Sequence, residues 1–468
     1  MLQKTLIAMM CSLSLVACGG GGGGSSLSGS ADGGQVTTPA SDLEKAKQLV
    51  KTTNAIVSYY DGFQNIADQY KVPTQVINDT SPDLSRATEM VTLLSELALE
   101  DAHGQSKQYS STDLEKLLED YAISRKSFVN YDLKNNTLSI EVSAGSVKVN
   151  GSADVGYWDG FKTSTNWQFN NPAWLKDKNN FIYNDQTHIN VTNMVIEAPF
   201  IASQSTYNFK VANGGVIEIV NSAAQKAKFS FTADSTASMV YATADTMENR
   251  EGIPDQATLK LQGLVFESMD VKVALSELSF VAKKVQFNKG VETLEQLIPS
   301  ELVLKGLVGY QQESLNLEAK FNLNNDLSKA IDVSAGQETS TNFINANLNV
   351  KLSGNLKGAN AAPTPFSIDI AAKRAEFTKG TATVAVVVDK NALDIELTAN
   401  DLDLDQQHQI IAGVIKHKNG ASLEIADINK FTSSAIKVAG QSYGAITKNS
   451  SGQYVVKFTD DTITYIAP

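Results

Sequence analysis

The sequence predicts a mainly β protein with a helical N-terminal segment, built on a large antiparallel sheet, either a sandwich or a curved, elongated sheet. Three observations carry this. Residues 41–127 repeat apolar side chains at three- and four-residue steps. From about residue 128 the period shortens to two. The alternation then sets aliphatic residues against Asn, Asp, Glu, Lys and Thr, as a sheet with one dry and one wet side requires.

The chain has 468 residues, with 42% hydrophobic and 19% charged, which suits folded domains rather than disorder. It opens with Lys4 and the apolar run Leu6-Ile7-Ala8-Met9-Met10, which continues through Leu13 and Leu15 to Ala17. This run is too short to span a bilayer, which needs about 20 residues, and has the length of a signal-peptide core. It ends in Leu15-Val16-Ala17-Cys18, which resembles the lipobox of bacterial lipoproteins. That resemblance implies cleavage after residue 17, a diacylglycerol thioether on Cys18 and further acylation such as palmitate. Gly19, in place of the Asp that marks inner-membrane retention in that family, implies the outer membrane. Cys18 followed by Gly19 to Gly24, Ser25 and Ser26 also resembles the start of surface lipoproteins such as the transferrin-binding and heparin-binding antigens. The likeness covers about 26 residues. The Gly-Pro barrel hairpin of those antigens has no counterpart near this C-terminus, so the resemblance implies a tether and no ligand.

Residues 18–40 therefore read as a lipidated Cys and a Gly/Ser-rich linker, with a reach of roughly 25 Å. The only cysteines are Cys11 and Cys18, so a lipidated chain without its signal has no thiol for a disulfide or a metal. The net charge is −12, and loss of Lys4 with the signal makes it about −13. This excludes the basic footprint of a nucleic-acid binder.

In the helical segment, Ser41-Asp42-Leu43-Glu44 is a capping-box signature, and Leu43, Ala46, Val50, Val57, Tyr60, Ala67 and Tyr70 continue a stripe that Pro73 stops. Ser81-Pro82 opens a second helix, with Leu84, Ala87, Val91, Leu94 and Ala98 on one face. Thr112-Asp113-Leu114-Glu115 opens a third. Residues 128–290 form a β region with an aromatic-rich segment, and residues 291–468 form an antiparallel β region. The clearest alternation runs from Leu315 to Leu323, and the theme returns at Leu348–Leu352 and Leu393–Leu397. One helical interruption is expected at Val291–Ile298, closed by Pro299. A membrane barrel is disfavoured by 7% aromatic content, thin for interfacial girdles.

No catalytic constellation emerges, so the expectation is a protein that is not an enzyme and takes no cofactor. Gly440-Gln441-Ser442-Tyr443-Gly444 matches a nucleophile elbow, but a turn and not a helix follows, and no His lies beyond His417. Ser434 and Lys437 match S-x-x-K on a strand, where they face opposite sides. His103, His188, His408 and His417 lack metal spacing and read as surface or loop residues. Asp401, Asp403 and Asp405 are a secondary candidate for Ca²⁺, lacking the Gly and Glu of an EF-hand loop. Residues 157–183 hold all three tryptophans. Tyr157, Trp158, Trp167 and Trp174 interleave with Asn and Asp, as in sites that stack sugars or grip a peptide, or else they pack a long loop on the sheet. The function expected is an outer-membrane-anchored lipoprotein that binds or scaffolds an envelope protein or glycan, in the periplasm or at the cell surface. The alternatives are a lipid- or glycan-handling β module and an enzyme with dispersed carboxylates.

Overall fold

The computed structural model describes residues 40–69, 71–124, 131–161, 173, 181–197, 205–243, 253–289, 291–324, 331–332, 347–358, 362–376, 379–400 and 410–466. Among the described residues the protein is mainly β, and its strands join in a large antiparallel sheet preceded by helix. Helix α1 spans Asp42–Gln69, α2 spans Lys71–Ala102 and α3 spans Ser111–Ser124.

The chain divides into two compact units. Of the described residues, the first takes those within 72–279 and 305–312, the second those within 40–71, 280–304 and 313–466. The helical segment 41–127 is thus shared out between them, with α1 in the second unit and nearly all of α2 and α3 in the first. The strands Val271–Lys289 and Glu292–Tyr310 each supply residues to both.

In the first unit α2 buries Leu84, Ala87, Met90, Val91, Leu94 and Ala98 almost completely. Its sheet is organised by the long pair Ser146–Phe161 and Phe181–Glu197. Two ribbons leave one edge of Phe181–Glu197, one through Thr206–Val211 and Ser235–Val240, the other through Val216–Val220 and Lys226–Phe231. Both end on the strand Gln256–Ser268, so the ladder forks and rejoins. Phe209, Val211, Ile217, Phe229 and Phe231 on these ribbons are buried.

In the second unit the strands from Glu313–Asn324 to Ile463–Ile466 form a meander in which each pairs antiparallel with the next, apart from the two-residue strand Ile331–Asp332. That short strand instead pairs in parallel with Phe287 and Asn288. Helix α1 supplies Ala46, Leu49, Val50 and Ile56 to a core with Phe366, Val386, Leu393, Leu423, Ile436 and Val456. Each large aliphatic side chain buried there contributes about 1.5–3 kcal/mol.

Several expectations are corrected. Helix α1 ends at Gln69, short of Pro73, which stands in the first turn of α2, but Ser81-Pro82 does not start a helix: α2 begins at Lys71 and carries Pro82 inside it. Val76 and Thr80 before the proline are buried like Leu84 after it, and burial of one continuous stripe outweighs the roughly 3 kcal/mol cost of an interior proline. The cap of α3 is Ser110 rather than Thr112. The Ser110 N–H donates to Asp113 Oδ2 at 2.8 Å, and the Asp113 N–H donates back to Ser110 Oγ at 3.4 Å. The helix expected at 291–298 is the start of the strand Glu292–Tyr310, with Pro299 inside it. Ser41 caps α1 as expected, accepting from the Glu44 N–H at 3.3 Å.

Candidate functional site

Helix α1 lies against the meander of the second unit through an apolar stripe and a flank of polar ties. Lys47 pairs with Asp460 at 2.6 Å, and the Tyr443 hydroxyl donates to Asp42 at 3.3 Å. The Asn54 side chain donates to the Tyr465 carbonyl at 3.0 Å, and the Asn419 side chain to the Lys45 carbonyl at 3.1 Å. The Asn419 backbone N–H donates to His417 Nδ1 at 3.3 Å. That leaves Nε2 to carry the ring proton toward Thr52 Oγ1, 3.4 Å away. His417 lies in the turn that follows the strand Ile410–Lys416, as a loop residue, but it is only 7% exposed rather than on the surface, and two hydrogen bonds compensate the burial of its ring.

Between helix and sheet, this unit keeps an apolar cavity of about 190 Å³. Leu49, Val50, Ile436, Ile446 and Val456 are buried and form its floor. Phe431, Tyr454, Ile425 and Ile466 are partly buried and form the rim, with Ile428, 44% exposed, at its outer edge. Thr53, the one hydroxyl on the helix side, is already committed, donating to the Leu49 carbonyl at 2.9 Å. Such a lining has little to offer a polar molecule and suits an apolar guest. The arrangement can bind an apolar group. It presents no nucleophile and no acid–base pair.

The sequence-nominated residues lie elsewhere. Tyr157 and Trp158 are on the strand Ser146–Phe161, opposite Asn184 and Tyr183. Trp167, Trp174, Asp401, Asp403, Asp405, His408 and Cys18 fall outside the described residues, as do the side chains of Tyr157 and Trp158. The Gly440–Gly444 motif is a hairpin: Ala439 and Gly440 both take left-handed φ, 48° and 84°, and join Ser433–Val438 to Gln441–Lys448. Ser442 donates within its own strand, to the Gly444 carbonyl at 3.3 Å. Ser434 donates to the Glu424 carbonyl, and Lys437 pairs with Glu424 at 3.0 Å. His103 is exposed in a turn with φ 49°, and His188 is half exposed beside Asp154 at 2.8 Å.

Fold and cavity together define a class: a helix-backed antiparallel β protein with an apolar pocket. The sequence matches no protein-family model, and no curated protein is significantly similar to it. Among the described residues, no helix is long and apolar enough to cross a membrane.

Proposed function

We propose that this chain is an outer-membrane-anchored lipoprotein that works by binding and not by catalysis, and that its second unit holds an apolar ligand between α1 and the meander. The observation that supports this reading is the cavity of about 190 Å³, whose lining is aliphatic and aromatic apart from Thr53. An open-mouthed apolar pocket of this size, with a buried floor and a half-exposed rim, is suited to admitting a guest. The lipobox-like Leu15–Cys18 supports the address. The acidic chain would itself be repelled by anionic lipid, and stable anchoring takes more than one acyl chain.

Native mass spectrometry of the full-length protein tests the binding reading. The expected spectrum shows the protein with a small apolar adduct, either as purified or after addition of 1-octanol. Ile446→Trp, which fills the cavity, should lose the adduct. A spectrum without adduct under both conditions, or one unchanged in Ile446→Trp, contradicts the reading.

A further inference from the structure

A lysine stands beside one aromatic residue of the cavity rim. The rings of Phe431 and Tyr454 meet there with centroids 5.7 Å apart and planes tilted by 53°. The Lys448 ammonium lies 5.7 Å from the centre of the Tyr454 ring, and its backbone N–H is fixed to the Thr432 carbonyl at 3.0 Å. Nearby strand lysines have carboxylate partners: Lys437 pairs with Glu424 at 3.0 Å, Lys416 with Glu396 at 2.6 Å and Lys457 with Asp461 at 2.8 Å. Among the described residues, Lys448 has no such partner and stands over a ring that lines the cavity. Asp427, on the rim loop, is turned to its own backbone, its Oδ1 accepting from the Asn429 N–H at 3.0 Å.

We propose that the cavity takes a single-chain carboxylate amphiphile of medium length, with its alkyl chain on the floor formed by Ile436, Ile446 and Val456 and its carboxylate at Lys448. This rests on the apolar-ligand reading above. An apolar cavity of about 150 Å³ admits benzene, so one of about 190 Å³ accommodates roughly eight carbons of a single chain. The two chains of a phospholipid exceed it. The cation–aromatic corner sets one end of the ligand, and the buried floor sets the other.

Isothermal titration calorimetry tests the proposal on the full chain carrying Cys18→Ala, in detergent-free buffer. The probes are butanoate, hexanoate, octanoate and decanoate, with 1-octanol and octylammonium as controls of matched length. Affinity should rise about fourfold per methylene up to about eight carbons and then level off. Octanoate should bind more tightly than either control, by an excess that shrinks with added salt. Lys448→Met should weaken octanoate roughly fivefold and leave 1-octanol unchanged. Equal affinity for the three eight-carbon probes, or an octanoate affinity unaffected by Lys448→Met, overturns the carboxylate assignment, and a rise continuing through decanoate overturns the medium chain length; each leaves the apolar reading standing. No heat with any probe overturns both. Val456→Phe and Ile446→Trp should each abolish binding of all probes; circular dichroism checks that each variant folds, so failure of one still leaves the other.

Discussion

At His417 the imidazole accepts the Asn419 backbone N–H on one side and donates to Thr52 on the other, so its removal leaves that N–H without its acceptor and leaves Thr52 with only the Gln48 side chain, which donates to it at 3.4 Å, in the contact between α1 and the meander. His417→Ala should destabilise the second unit by about 1–3 kcal/mol, the cost of buried groups left unpaired. Urea denaturation reads this, and a change within about 0.5 kcal/mol would place the ring among ordinary surface positions. Asp460 makes a different kind of tie. Hydrogen bonds from Lys47 and Thr462 hold its carboxyl down to about 2, from an ordinary 3.8. A carboxyl depressed in the folded state contributes stability above its unfolded pKa and loses it as pH falls through the folded one. The Lys47–Asp460 tie should therefore persist at pH 4 and weaken progressively from there toward pH 2. Carboxyl-carbon NMR should show Asp460 titrating near 2 and moving up toward its ordinary value in Lys47→Met. An unshifted Asp460 in that variant would mean the pair does not form in solution. The sequence could not announce either contact, because His417 lies 365 residues from Thr52 and Asp460 lies 413 from Lys47.

Among the elements, the strands whose sequence alternates apolar and polar residues were legible and those without that alternation were not. The alternation from Leu315 to Leu323 becomes the strand Glu313–Asn324, paired residue for residue with Asn347–Lys357. Glu292–Tyr310 misled because exposed and half-exposed positions follow one another along it, so selection for a dry face left no period of two, and Leu294, Leu297 and Ile298 fall at helical spacing. The helix ends were misplaced where burial outweighed local signals, as at Pro82. The cavity escaped notice for a related reason. Val50, Ile436, Ile446 and Val456 all read as ordinary dry-face residues, and period alone does not say which strands a helix 400 residues away will cover. Close approach within the meander is more specific. Gly354 sits where an added Cβ would run into the Asn316 carbonyl and the Phe366 ring. Gly354→Ala should cost about 1–3 kcal/mol through this overpacking, read as a lowered thermal midpoint. A midpoint equal to that of the parent would show that the strands can spread there.

For the whole molecule, the address and the binding site are separate properties and fail separately. Cys18→Ala should release the protein from the membrane fraction or leave an unprocessed precursor, since the rest of the chain is acidic and the anchoring proposed here depends on the lipid. Normal maturation and membrane retention of that variant would refute the lipoprotein assignment without touching the cavity. The central claim is that an apolar ligand enters the second unit beneath α1. Photolabelling with a neutral aliphatic diazirine, followed by peptide mapping, tests it most directly because it reports where the ligand sits. Labels are expected on Leu49, Val50 and Thr53 and on Ile436, Ile446 and Val456, all of which line the cavity. Labelling confined to outward apolar residues such as Met269, Val291 and Ile463, with the cavity residues untouched, would contradict it.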